Sequence, residues 1–289
     1  MRLAVIGKTG QLAKAMAARA PDAEYYGRDA LDLTWNTHAI ENFILNLDVD
    51  AVIIAAAYTA VDAAETDSDT AFAVNAVAPG IIAKACADKN IALIHISTDY
   101  VFNGQGTTPY SVDAPTDPLG VYGASKLQGE QAVTAAYPQA AIVRTSWVYD
   151  GTGANFFNTM LRLGGTRDML SVVHDQIGRP TFSGHLARAV LDMVPAVMRG
   201  DVGGVFHVSN TGAPISWADF ARAIFDITAR HRDHSVTVNN IPSRDYPTPA
   251  ARPAYSVLET TKFESQFGAL PDWQSGLKDA YKEWVTARA

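Results

Sequence analysis

Unbroken apolar runs alternate with amphipathic stretches along this chain, which predicts repeating strand–helix units. Residues 3–6 form a short apolar run and predict a buried strand. The run stops at Gly7-Lys-Thr-Gly10-Gln-Leu-Ala13, and a helical pattern continues to about Arg19. Residues 24–26 predict a short, weak second strand. Residues 51–57 are strongly apolar and predict a central parallel strand, buried on both faces. Helices are expected over about 67–75 and 78–89, then a strand over 91–96. A loop rich in Gly, Pro and Thr covers 103–118. A helix from Tyr122 to about Ala136 and a strand over 141–145 complete the first half.

The alternation loosens after about Gly151. Helices are predicted over 155–163 and 181–198, with strands over 170–173, 204–208 and 236–238. Ser216-Trp-Ala-Asp219 has the form of a capped helix start, with the helix reaching about Arg230. Residues 241–253 are a proline-rich loop, and an amphipathic helix runs from Asp272 to the C-terminus. The fold expected is α/β, a Rossmann-type doubly wound parallel sheet with a smaller C-terminal substrate-binding lobe. Residues 1–150 would be the NAD(P)-binding domain. Residues 151–289 would be the lobe, interleaved with the last elements of the first domain.

Composition narrows the picture. The chain has 289 residues, 48% hydrophobic and 18% charged, which is ample for a core. A formal charge of −7 argues against a nucleic-acid partner. Cys86 is the single cysteine, so no internal disulfide forms and a reducing compartment is expected. No secretory signal precedes the first strand, and no apolar run is long enough to span a bilayer. The expectation is a cytoplasmic protein without a membrane partner. His95 and His207, inside strands, and His174, in a loop, are expected to be structural.

Candidate chemistry sits at the ends of the predicted strands. Strand, glycine turn and helix are the context of a dinucleotide fingerprint. Gly7 would permit the tight turn and Gly10 a close approach of pyrophosphate to the helix N-terminus. Beyond the second strand, Arg28 could take a 2′-phosphate, whereas Asp29 or Asp32 could bind a ribose hydroxyl. The cofactor is therefore NADPH or NADH, with Arg28 tilting the expectation to NADPH. Ser97 and Thr98 follow a strand at its carboxyl end, where such sheets bind ligands and where a hydroxyl can stabilise developing charge. Tyr122 and Lys126 are four apart on one helix and share a face. A lysine ammonium beside a phenol would lower its pKa from about 10 and suit it to proton transfer. In the proline-rich loop Arg252 is the candidate pyrophosphate contact.

These pieces, in this order, resemble the extended short-chain dehydrogenase/reductase superfamily and, within it, the dTDP-4-dehydrorhamnose reductases. The resemblance rests on Gly7-Lys-Thr-Gly-Gln-Leu12, Ala55-Ala-Ala-Tyr-Thr-Ala-Val-Asp62, Ser97-Thr-Asp-Tyr-Val-Phe102, Tyr122-Gly-Ala-Ser-Lys126 and Arg144-Thr-Ser-Trp-Val-Tyr149. Asn155-Phe156, Asp175-Gln-Ile-Gly-Arg-Pro-Thr181 and Tyr246-Pro-Thr-Pro-Ala-Ala-Arg-Pro253 extend it over nearly the whole chain. It implies that Thr98, Tyr122 and Lys126 are catalytic. It implies that Gln11, Leu12, Asp32, Leu33, Ala57, Tyr58 and Thr59 line the cofactor, and that Asp99 and Trp147 contact a deoxysugar, with Asn155 on the same side. The implied activity is NAD(P)H-dependent reduction of the C4 keto group of a dTDP-sugar. Some members of the family dimerise around magnesium through a glutamate in the first helix. Ala15 stands there in this chain, so no metal is expected, and a homodimer would have to form without that bridge. The rival expectations are a nucleotide-sugar epimerase or dehydratase of the same superfamily, and a non-catalytic NADP-binding regulatory subunit.

Overall fold

The central sheet is built from the most apolar segments of the chain. The computed structural model describes residues 1–231 and 233–288; Ala289, the last residue of the expected terminal helix, lies outside them. Strands β1 (Leu3–Ile6), β2 (Glu24–Tyr26), β3 (Ala51–Ile54), β4 (Ala92–Thr98), β5 (Ala141–Thr145) and β6 (Gly204–His207) form one six-stranded sheet in the order β6-β5-β4-β3-β1-β2. Every neighbouring pair is parallel. The chain steps from β1 outward to β2 and then back across to β3, so the strand order reverses between β1 and β3. Ligands of such sheets bind at that switch point, beyond the strand ends.

Both faces of the sheet are covered, which is why β1 and β3 are apolar at every residue rather than at every second one. Leu3, Val5 and Ile53 pack under helices α1 (Gln11–Ala17) and α8 (Ser183–Met198). Ala4, Ile6, Val52 and Ile54 pack under α2 (Thr37–Leu45), α5 (Ala78–Lys89) and α6 (Val121–Ala136). α2 is not among the expected helices: only Ile40 and Ile44 of its nine residues are buried, too few to stand out in the pattern.

The two helices expected over 67–75 and 78–89 are one continuous run. After the short α3 (Val61–Ala64), α4 (Ser68–Phe72) passes through a π-helical segment (Ala73–Val77) directly into α5. By length and composition this run, Ser68–Lys89, is long and apolar enough to cross a membrane, contrary to the sequence expectation. Half of its most apolar window is buried, packed against α2 and α6.

A separate core holds the rest. α7 (Phe156–Gly164), α9 (Trp217–Ile227) and α11 (Trp273–Thr286) enclose Tyr149, Phe157, Phe182, Phe220 and Trp273. A two-stranded parallel ribbon, Met169–Val173 with Thr237–Ile241, flanks them. α9 starts in the capping box its sequence predicts, with Ser216 and Asp219 reciprocally bonded. A short helix, α10 (Thr261–Phe267), lies within a stretch for which no helix was expected.

Candidate active site

The glycine turn after β1 lies against the start of the segment after β3. Gly7 has φ +129°, and a Cβ there would meet the Ala56 backbone nitrogen at 3.1 Å, in a conformation only glycine adopts readily. At Gly10, by contrast, a Cβ would meet nothing within 4 Å. Gly10 caps α1 with extended backbone, and no side chain satisfies the first helical N–H groups. An open approach to unsatisfied donors is what a pyrophosphate needs, so the residues present fit a dinucleotide. Leu12 and Ala13 are buried and seat α1 on the sheet.

Beyond β2, Asp32 accepts hydrogen bonds from Arg28 Nε (2.9 Å), Thr34 N (2.9 Å) and Thr34 Oγ1 (2.7 Å). Those contacts, the Thr34 backbone N–H foremost, hold its carboxyl down at about 2. Arg28 is exposed and already spans to that carboxylate, while Leu33 is buried behind it. The segment Ala57-Tyr58-Thr59 follows β3 directly. Its backbone is gripped by Asn75 from the π-helical segment, which accepts from Tyr58 N (2.8 Å) and donates to Tyr58 O (3.1 Å) and to Ser125 Oγ (3.0 Å) on α6.

The Tyr122 helix is brought in tightly by its small residues. A Cβ on Gly123 would lie 2.2 Å from Tyr100 O, and one on Gly129 would lie 2.0 Å from Asn75 O. Tyr122 therefore meets the end of β4, which runs on through Ser97 to Thr98 instead of stopping at Ile96. Thr98 Oγ1 donates to Asp99 Oδ1 (3.0 Å) and accepts from Tyr100 N (3.2 Å), and the Tyr100 ring stands edge-on to Tyr122 at 5.4 Å. Burial pushes the Tyr122 phenol up to about 12, partly offset by its hydrogen bond with Thr98. Asp99 is buried with Oδ2 unpartnered, and burial raises it to about 6 against the pull of Ser256 and Thr98.

Lys126 departs from the expected arrangement. Its side chain is 2% exposed, and its ammonium donates to Ile96 O (2.7 Å) and approaches His95 Nε2 (3.4 Å). Burial lowers it to about 8, opposed by Glu130. The expected lowering of the phenol by this ammonium is therefore overturned: burial dominates at both groups and drives them apart, the phenol up and the amine down. One turn on, Glu130 is filled by Ser97 Oγ (2.5 Å), Arg144 Nε (2.9 Å) and Arg144 Nη2 (2.6 Å), a buried bidentate pair behind the site. Ser97 is thus committed away from the cleft, whereas Thr98 is not.

On the lobe side, Trp147 has φ +48° and stacks on Trp217 with ring centroids 3.5 Å apart and 6° between planes. A Cβ on Gly178 would fall 2.4 Å from that indole, so the glycine leaves room for it. Arg252 pairs with Asp62 Oδ2 (2.8 Å), tying the proline-rich loop to the segment after Thr59. Asn155 lies elsewhere. It caps α7 by accepting from Asn158 N (3.1 Å) and donates to Gln11 Oε1 (2.8 Å) and Asp150 Oδ1 (2.9 Å), fastening the lobe to the first turn of α1. The structure thus gathers Thr98, Asp99 and Tyr122, buries Lys126 one turn further along α6 against His95 and Ile96, and places Asn155 beside Gln11. Among the described residues no group of three or more His, Cys, Asp or Glu side chains is arranged to hold a metal ion.

Asn75, Glu130, Trp217 and Ser256 carry weight that reading the sequence did not assign to them. The available signal was Asn75 within an apolar run; the buried face of α6 mixes Ser125, Lys126 and Glu130 with glycines and Val133 and gives none.

A dinucleotide site at the strand-order switch, with a phenol and a buried ammonium four residues apart on the sixth helix, belongs to one class of protein, the extended short-chain dehydrogenases/reductases. Residues 1–286 match the family described as the RmlD substrate binding domain, and the chain belongs to that family, the dTDP-4-dehydrorhamnose reductases. It is 42% identical over 285 residues to the dTDP-4-dehydrorhamnose reductase of Sinorhizobium fredii, covering 96% of each chain. The dTDP-4-dehydrorhamnose reductase of Clostridium acetobutylicum superposes with a TM-score of 0.90 at 35% identity, covering 99% of this chain and 100% of that one. That of Bacillus anthracis, solved in complex with NADP, does so with a TM-score of 0.90 at 34% identity, covering 98% and 99%.

Proposed function

We propose that the protein reduces the C4 keto group of dTDP-4-dehydro-L-rhamnose to give dTDP-L-rhamnose, with NADPH preferred over NADH. The observation that carries the reading is Tyr122: a phenol held protonated near neutral pH, hydrogen-bonded to Thr98 and one helical turn from the buried Lys126. Bound NAD(P)H supplies the hydride. A pKa of about 12 keeps the proton on Tyr122 until an alkoxide forms, yet leaves the phenol a stronger acid than a sugar alcohol. Thr98 would turn its hydroxyl from Asp99 Oδ1 to the same oxygen. Lys126, one helical turn further on, would hold the nicotinamide ribose.

Gly7, Gly10, Gln11 and Leu12 would receive the pyrophosphate. Asp32 and Leu33 would receive the adenosine, with Arg28 free to turn from Asp32 to a 2′-phosphate. Ala57, Tyr58 and Thr59 would line the path between them. Trp147, backed by Trp217, is a flat wall suited to a deoxysugar with its methyl group. Asp99 would meet the sugar hydroxyls, Arg252 the dTDP pyrophosphate, and Asn155 would hold the lobe side of the cleft. We assign residues 1–150 to the nucleotide domain and 151–289 to the substrate lobe, with β6 and α8 returning to the sheet. We place the enzyme in the cytoplasm, and any homodimer would form without the family's magnesium bridge because residue 15 is alanine.

The test is a panel of nucleotide 4-keto-sugars with NADH and NADPH in parallel. The reading predicts one equivalent of cofactor oxidised per dTDP-L-rhamnose formed. Product without net oxidation would identify an epimerase or dehydratase. Binding of NADP with no turnover on any sugar would identify a regulatory subunit.

A further inference from the structure

Lys126 is among the largest fully buried side chains of the protein, and its ammonium must be oriented by what surrounds it. Glu130, four residues on, cannot do this. Both its oxygens are occupied, and its charge is matched by Arg144. Two acceptors are recorded for the ammonium. One is the Ile96 carbonyl at 2.7 Å, a backbone atom fixed by β4. The other is the imidazole of His95 at 3.4 Å, the single side-chain acceptor recorded for it among the described residues.

An ammonium can only donate, so His95 Nε2 must accept and the ring proton must sit on Nδ1. His95 Nδ1 is buried with no partner, and the residue is 0% exposed. A leucine would fill this site without stranding a donor. An unsatisfied buried donor inside a central strand calls for a reason, and the contact with Lys126 supplies one.

We propose that His95 is a positioning residue for the reduction: its Nε2 lone pair, with the Ile96 carbonyl, fixes the Lys126 ammonium against β4, one helical turn from Tyr122, and keeps it charged. The inference rests on the reductase reading for its kinetic consequence, but the geometry of the Lys126–His95 contact stands apart from it. The charged and titratable groups around Lys126 are Tyr122 and Glu130 on its own helix, His95 from β4, and Arg144 from β5 behind Glu130. Asp99 and Tyr100 approach Tyr122 instead. Removing the His95 acceptor withdraws support from the charged amine while Glu130 and Arg144 stay in place. Lys126 would then lose its proton at lower pH.

The test compares His95→Gln, whose amide oxygen reaches the Nε2 position, with His95→Asn, which is too short, and His95→Leu. The first readout is NMR titration of isotope-labelled lysine, with the Lys126 signal assigned by Lys126→Arg. Leu and Asn variants should titrate about one pH unit lower than wild type, and Gln close to wild type. The second readout is the pH profile of kcat. The alkaline limb should move down in the Leu and Asn variants, kcat at pH 8 should fall about tenfold, and KM for the sugar should stay within about twofold. His95→Leu and His95→Asn proteins with wild-type Lys126 titration would overturn the proposal, even if their thermal stability fell. Should wild type itself fail to turn over the dTDP-sugar, the reductase reading fails, and the titration still decides the role of His95.

Discussion

At Tyr122, Lys126 and Asp99 the strongest force is desolvation. It raises the acids and lowers the amine, so that near neutral pH the phenol is protonated, the amine mostly charged and Asp99 mostly ionised. Asp99 bears the cost of that arrangement. Its folded pKa of about 6 lies above the ordinary 3.8, so its stabilising share is complete below pH 4 and is lost as pH rises through 6. Asp99→Asn should therefore match wild type in unfolding free energy near pH 4 and exceed it at pH 8 by up to roughly 3 kcal/mol. Urea denaturation at the two pH values checks this, and a constant difference would contradict it. Tyr122, Lys126 and Thr98 were legible as residues because their spacing and place after a strand are chemical patterns. Their acidities were not. Charge proximity can be read from a helix spacing, whereas burial depends on how closely α6 sits on Tyr100 and Asn75, which only the folded chain reveals.

Among the elements, α6 and the π-helical turn act together. Gly123 and Gly129 let α6 touch backbone carbonyls, and the turn at Ala73–Val77 swings Asn75 inward between the Tyr58 backbone and Ser125. π-Turns within α-helices often occur at functional positions. Asn75→Leu would strand the Tyr58 N–H and C=O, at about 1–3 kcal/mol for a buried group left unpaired. It should lower stability by that order and weaken NADPH binding several-fold, measured by thermal unfolding and cofactor titration on one preparation. NADPH affinity equal to wild type would show that the Tyr58 segment needs no clamp. The sequence pattern divides this run into two helices because Pro79 and Gly80 sit where a break would be expected. In the fold Pro79 lies inside the continuous run, directly after the π-helical turn Ala73–Val77. α2 and α10 were overlooked because their buried faces are only one or two residues wide.

For the whole molecule, the sheet and its covering layers come from both halves of the chain. β6 pairs with β5, and α8 covers the face that Leu3, Val5 and Ile53 present. The six-strand parallel architecture was legible because its strands are continuous apolar runs between helical periods. The second core was legible only as a loosening of that rhythm. The strands around it are two to five residues long, and it is held by aromatic contacts such as Trp147 on Trp217. A fragment of residues 1–150 would expose the α8 side of the sheet and the free edge of β5. It should lack a cooperative thermal transition, measured by circular dichroism and calorimetry, while the full chain unfolds in one. A fragment that unfolds cooperatively would show the nucleotide domain to be self-sufficient.

In the proposed reaction Tyr122 gives its proton to the sugar oxygen. Single-turnover reduction of dTDP-4-dehydro-L-rhamnose by Tyr122→Phe, with NADPH affinity measured on the same protein, tests it most directly. The rate should fall by about a hundredfold or more, with cofactor binding within a few-fold of wild type. A rate equal to wild type would contradict it.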